Sequence, residues 1–454
     1  MGLTLALRLA KAGQKVTVYE AAPDWGGLTS AWQLNDEVQW DRFYHVTLLT
    51  DSYLRELLEE LELEQKIKWV ETKTGFYSDG KLYSLSNSFE FLKFPYLNMY
   101  QKLRLASTIT MGSRIKDWQK LEQIPLEKWL RKMSGSSTYE KIWLPLIKAK
   151  VGDANTSLSA AFIWAYIARM YKARRTGMKK EMFGYVPGGY AAILETMLAE
   201  LKSLGVTLAP GHPLMRVENT DDGGVALEFS DNKVNEHEGV IFTIPSPVVS
   251  KICPGLNQQE HEKLSGIEYL GVVCASLLLK KPLSHYYVTN ITDDWVPLTG
   301  VIEMTTIVDP QELGGNHLVY LPQYVRATDD QAFAESDESI KERLLSTLDR
   351  MYPEFSRDDV VEFKVAKARN VMALPTVNYS KQLSPMDTSL PGVFTINSSY
   401  IVKGNLNVNE TIQIALEGMD VLKKYFADDA PVDRARISLA ETIVDEPADQ
   451  LARQ

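Results

Sequence analysis

A glycine at the start of a short helix and a carboxylate about twenty residues later are the parts of a dinucleotide grip. Gly2 and Glu20 stand in that relation. Free N–H groups and the helix dipole at such a helix start hold a pyrophosphate, and the acid takes ribose hydroxyls. Gly26 and Gly27 follow, allowing close backbone approach or a positive φ. His45 closes the segment Val38-Gln39-Trp40-Asp41-Arg42-Phe43-Tyr44-His45-Val46. It either faces a bound group or packs among Phe43, Tyr44 and Val46, and both readings stay open. Near the C-terminus a buried strand, Gly392 to Ile396, leads to Asn397-Ser398 and a polar loop. A helix is expected from Asn409, whose free N–H groups would stabilise negative charge, with Asn407, Val408 and Glu410 as candidates. The sequence holds no H-E-x-x-H, G-x-S-x-G or Walker motif, so hydrolase, metalloprotease and nucleotide-hydrolysing chemistry lack support. Cys253 and Cys274 are not at metal-ligand spacing, and no metal site is expected.

These residues need elements to hold them. Leu3, Leu5, Ala6, Leu9 and Ala10 recur at helical spacing up to Ala12-Gly13, and Lys15 to Tyr19 reads as a strand. This is the back half of a βαβ unit. The full fingerprint has a strand and two further glycines before Gly2, so the chain is expected to start inside the motif, through a misplaced start or a truncation. Residues 51–63 read as an amphipathic helix, and Thr74 to Leu85 as a hairpin turning at Asp79-Gly80. From 86 to 182 helical periodicity dominates, rich in aromatics and methionines, and four or five helices are expected. The run Leu158 to Tyr171 contains Arg169 and reads as a buried helix in preference to one lying on a membrane surface. Lys172, Arg174, Arg175, Lys179 and Lys180 form a basic cluster, read as a solvated helix end ahead of an anion-binding one. Gly184 to Tyr190, containing Pro187-Gly188-Gly189, feeds a helix ending at Gly205. Strands follow near Leu214–Glu218, Val225–Phe229 and Val240–Ile244. Residues 255 to 375 are strand-rich, with one helix about Ser339 to Met351.

Length bounds the rest: 454 residues suggest about two or three domains. An apolar content of 45%, a charged content of 24% and a net charge of −10 fit a globular enzyme and argue against a nucleic-acid surface. No signal peptide and no spanning apolar run are read, so the cytoplasm is the default compartment, with peripheral membrane contact left open.

The order of third glycine, helix, Val16-Thr17-Val18-Tyr19-Glu20-Ala21, then Gly26-Gly27, then Pro187-Gly188-Gly189, then the C-terminal strand and loop resembles the FAD-dependent amine oxidoreductases. That superfamily includes protoporphyrinogen oxidase-like, phytoene desaturase-like and monoamine oxidase-like enzymes. The resemblance implies an α/β fold: a discontinuous Rossmann-like FAD-binding domain over 1–85, 184–254 and 376–426, with an inserted helical cap over 86–183 and an antiparallel substrate-domain sheet over 255–375. Residues 427–454 are expected to be a disordered tail. By the same resemblance Gly2, Glu20, Gly26, Gly27, Leu28, His45, Leu214, Asn397, Asn407, Val408 and Glu410 would meet noncovalently bound FAD, with Leu214 near the adenine and His45 near the flavin. Leu28 stands where many members carry arginine, and Asn397-Ser398 where many carry glycine and aspartate. The implied activity is dehydrogenation of an apolar, amine, tetrapyrrole or polyene substrate by hydride transfer to flavin. The alternatives are a UDP-galactopyranose-mutase-like isomerase, hinted at by Arg42, Arg174 and Arg175, and a non-catalytic flavin-fold scaffold. The oligomeric state is not readable.

Overall fold

A computed structural model of the chain describes residues 1–152, 156–173 and 181–426. The basic cluster from Arg174 to Lys180, the side chain of Lys172 and the expected tail at 427–454 lie outside the described residues.

The first helix, Gly2–Lys11, buries Leu5 and Leu9 on one side, as their spacing of one turn requires, and Leu7 on the other. It packs against the helices Gly189–Ser203 and Val408–Phe426. Strand Thr17–Tyr19 pairs in parallel with Thr207–Ala209. A second parallel pair joins Val240–Phe242 to Val393–Thr395. Among the described residues these two pairs are not hydrogen-bonded to each other. Partners so distant in sequence bring the N-terminal, middle and C-terminal segments into one layered unit. A three-stranded antiparallel sheet, Leu214–Asn219, Val225–Phe229 and Val234–His237, sits beside it.

The largest sheet has seven strands, ordered Val360–Ala373, Tyr269–Leu279, His317–Arg326, Gly300–Glu303, Val288–Ile291, Thr74–Ser78 and Lys81–Ser84. The expected antiparallel pattern holds except at one junction, where Val288–Ile291 and Thr74–Ser78 run parallel. The hairpin at 74–84 therefore hydrogen-bonds into this sheet. The strand Tyr269–Leu279, second in that order, is buried along its whole length because both faces are covered. Val273, Ala275, Leu277 and Leu279 point to the helix Asp337–Met351, while Val272, Cys274 and Leu278 point to the cap. The strand Gly300–Glu303 ends in a turn. Met304, Ile307 and Val308 are buried at the spacing of a turn, and Met304–Thr306 is a 3₁₀ helix.

The cap is cut into more pieces than its periodicity suggested: Ser88–Lys93, Met99–Gly112, Trp118–Glu122, Leu126–Ser134, Ser136–Thr138, Leu144–Val151 and Ala160–Ala173, with a π-helical turn at Tyr139–Trp143. Pro95 and Pro125 break it where their missing N–H cannot continue a helix, and Gly135 breaks it at φ +83°. The run from Leu158 is interior, with Leu158, Phe162, Ala165 and Ile167 all buried. Among the described residues no helix is long and apolar enough to cross a membrane.

Candidate active site

Gly26 and Gly27 adopt φ +108° and +56° and enter a 3₁₀ turn, Gly27–Thr29, that carries Leu28. A Cβ at Gly26 would lie 2.6 Å from Leu194 Cδ1, so the turn requires glycine there for space as well as for φ. Gly2 starts the first helix with its Cα facing Thr243; an added Cβ would be 3.1 Å from Thr243 Oγ1. Glu20 follows the strand Thr17–Tyr19 and accepts from the Ala22 N–H at 2.9 Å, while its carbonyl accepts from His212 N at 2.9 Å. That bond leads the chain toward Leu214, which packs with Tyr19 in one apolar cluster.

Asn407 caps the last helix, its Oδ1 accepting from Glu410 N at 3.0 Å, so the helix begins at Val408, one residue before the expected Asn409. Asn397 is buried with its amide committed to the protein: Oδ1 accepts from Ser399 N and Oγ, and Nδ2 donates to Ser246 Oγ. It therefore shapes the turn at 398–400.

His45 Nδ1 lies 2.9 Å from the Phe43 carbonyl. A carbonyl only accepts, so Nδ1 carries the proton and Nε2 keeps a lone pair. The ring packs 4.9 Å from Tyr190. Desolvation pulls the His45 pKa down to about 4, so the ring is neutral at pH 7. His45 and Tyr44 are both half-buried. Asp41, four residues before His45, is 2% exposed and accepts from Tyr190 N at 2.9 Å, at the start of the helix Gly189–Ser203. Burial pushes its carboxyl up to about 8.

Two features of this region escaped the sequence reading. Arg169, on the cap helix, donates to both Asp51 oxygens at 3.1 Å and so ties the cap to the helix Ser52–Glu60. Glu410 lies near this pair, and its carboxyl is raised by burial against the opposing pull of Arg169. Lys150 places Nζ 4.7 Å from the Tyr166 ring centre and 5.2 Å from that of Tyr324. Tyr324 Oη lies 3.5 Å from Tyr44 Oη, and Phe162 packs 5.3 Å from Tyr166. Among the described residues Lys150 forms no ion pair. The signal for Lys150 was its spacing: it follows Leu146 and Ile147 by one helical turn, on the inward side.

FAD is tested against this region by polar atoms the fold leaves over. Trp32 Nε1, Arg42 Nε, Tyr190 Oη and Asn405 Oδ1 are buried with no protein partner. They lie on the segments after the double glycine, at the helix start facing His45, and in the loop before Val408. Buried donors and acceptors left without protein partners suit a bound group rich in both. Arg42 is otherwise paired to Asp24 at 3.0 Å and stacked near Trp32, so it is not a free diphosphate ligand.

A model of the flavin containing amine oxidoreductases matches residues 2–399. The chain belongs to that family. It is 21% identical over 391 residues to the 15-cis-phytoene desaturase of Glycine max, covering 81% of this chain and 67% of the relative. Its fold is similar to that of a putative protoporphyrinogen oxidase from Exiguobacterium sp. 255-15, with TM-score 0.70 and 16% identity over 93% of this chain and 96% of the other. A putrescine oxidase structure gives TM-score 0.68 and 18% identity, covering 92% and 96%. The protein is an FAD-dependent oxidoreductase with the amine oxidase fold.

Proposed function

We propose that this flavoenzyme dehydrogenates an apolar substrate that is neutral or carries acid groups, of the polyene or tetrapyrrole kind, and not a cationic amine. Bound FAD supplies the hydride acceptor. Gly2, the turn at Gly26, Gly27 and Leu28, Glu20, Leu214, and the helix start at Asn407, Val408 and Glu410 are the proposed holding groups, with Asn397 fixing the neighbouring turn. His45 is neutral and offers a hydrogen-bond acceptor at Nε2, so it orients without adding charge. The cap helix Ala160–Ala173 and the seven-stranded sheet share one apolar core, which would exclude water from the reacting groups.

The observation that carries the reading is Lys150 between Tyr166 and Tyr324. Aromatic faces attract a cation, and here the protein's own ammonium already takes that place. A second ammonium would be repelled, whereas a carboxylate or an uncharged chain would not. Similarity to the phytoene desaturase and the putative protoporphyrinogen oxidase supports the same direction. The test is anaerobic bleaching of the visible flavin band by a polyene, a carboxylate-bearing tetrapyrrole and a primary amine. Bleaching by either of the first two and none by the amine is expected. In Lys150→Met the acid-bearing substrate should bind about tenfold more weakly, the loss of one charge-assisted hydrogen bond worth ~1.5 kcal/mol, while the neutral substrate is unchanged. Fast bleaching by the amine in the unmodified chain overturns the proposal.

A further inference from the structure

We propose that the outer face of the helices Ser88–Lys93 and Met99–Gly112 is a docking surface for an anionic lipid bilayer. Exposed large apolar side chains concentrate there: Phe89, Leu92, Met99, Tyr100, Leu103 and Met111 are each more than half exposed. The longer helix buries polar side chains beside the apolar Leu105. Its inward side carries Gln101, which donates to Ser137 Oγ, Lys102, which donates to the Leu92 carbonyl, and Thr108, bonded to Ser134 Oγ. Its outward side carries Met99, Tyr100 and Leu103 within one turn and Met111 two turns further on. Water is a poor partner for that stripe, and a monomer rarely leaves so much apolar surface together.

Charge decides between occupants. Residues 86–152 hold twelve Lys or Arg against five Asp or Glu, an excess of seven positive charges, in a chain whose net charge is −10. Lys93 Nζ lies 4.2 Å from the Phe89 ring centre, and the Arg104 guanidinium 5.9 Å from that of Tyr100. Exposed Arg114 and Lys116 follow the end of the helix. Cations beside protruding aromatic and aliphatic side chains match a headgroup layer over acyl chains. The acidic remainder of the molecule would be repelled from the same bilayer, so this face is oriented toward it. The side chains protrude from helices, which suits a fluid surface better than a folded partner. Gly112 packs against Ile167 of the cap helix, a Cβ there meeting Ile167 Cγ2 at 3.5 Å, so the surface lies one helix away from Tyr166 and Phe162. The surface stands independently of the substrate reading.

The test is flotation of the full FAD-loaded chain with vesicles of phosphatidylcholine alone and of phosphatidylcholine with one-third phosphatidylglycerol. Binding to the mixed vesicles, weakened by salt and at least tenfold stronger than to phosphatidylcholine, is expected. Two variants should each lose at least tenfold of it: Leu92→Ser/Met99→Ser/Leu103→Ser, and Lys93→Glu/Arg114→Glu/Lys116→Glu. The charge variant changes only exposed side chains and keeps the test open should the serine variant fail to fold; flavin content and melting temperature report folding. Equal binding to both vesicle types overturns the proposal, as does unchanged binding by a folded variant. Failure of the unmodified chain to float also overturns it, and concentration-dependent dimerisation abolished by the serine variant would then assign the face to a second copy.

Discussion

Asp41 is a carboxyl group whose burial reverses its usual contribution to pH stability. It is 2% exposed, and its ordinary value of 3.8 rises to about 8 because desolvation outweighs the Tyr190 N–H it accepts. The unfolded chain thus releases this proton near 3.8 and the folded chain near 8. The protonated form favours the fold, so the contribution is complete below the unfolded value and is lost as pH rises toward the folded one. The loss is about 1.4 kcal/mol per pH unit across that window. Asp41→Asn keeps an oxygen for Tyr190 N–H and removes the titration. Its stability should match that of the unmodified chain near pH 4 and exceed it by ~2 kcal/mol or more at pH 8, measured by urea unfolding. Parallel pH curves for the two chains would show that Asp41 is charged in the fold. The residue was visible in sequence only as a member of the segment Val38 to Val46; its depth depends on Gly189, distant in the chain, where an added Cβ would come 2.9 Å from Asp41 Oδ1.

At the scale of elements, the cap is fastened by an ion pair that periodicity could not disclose. Arg169 and Asp51 retain 23% and 5% of their side-chain exposure, so each depends on the other for compensation. Arg169→Leu leaves Asp51, which also accepts from Leu48 N, and the nearby Glu410 without their cation. A destabilisation of ~3 kcal/mol at pH 8 is expected. It should shrink at pH 5, because burial raises both carboxyl groups and loss of Arg169 raises them further, so protonation removes the uncompensated charge. An unchanged melting temperature at pH 8 would mean that the pair is not formed in solution. Element types were legible where one force set them. Apolar spacing gave the first helix, and the two faces of Tyr269–Leu279 gave a continuous apolar run. The glycines of Pro187-Gly188-Gly189 gave the turn, at φ +82° and +66°. Pairing was not legible. Nothing in Thr74–Ser78 says that its partner is Val288–Ile291, because strand neighbours are chosen by the tertiary fold. Lys150 was not singled out from the sequence for the same reason: its neighbour Tyr324 belongs to a distant strand.

For the whole molecule, the separation of its cores decides how it should unfold. One core lies between the seven-stranded sheet and the helix Asp337–Met351, built from residues such as Leu277, Leu321 and Leu344. Others surround the first helix, joining Leu5 and Leu9 to Ile414 and Leu422, and Leu7 to Ile193 and Leu201. The second group gathers segments from both ends and the middle of the chain around the proposed holding groups for FAD. A ligand bound only by the folded form stabilises the unit that holds it, by about 2.7 kcal/mol at a free concentration one hundred times its dissociation constant. Calorimetry of the FAD-free chain should therefore resolve a transition that moves upward with added FAD and another, belonging to the seven-stranded sheet, that moves less. Glu410→Ala, which removes a carboxyl group at the start of the last helix, should change the first transition and leave the second in place. A single transition shifting as a whole would show that Leu278, Tyr320 and the cap residues packed on them couple the two units into one cooperative fold.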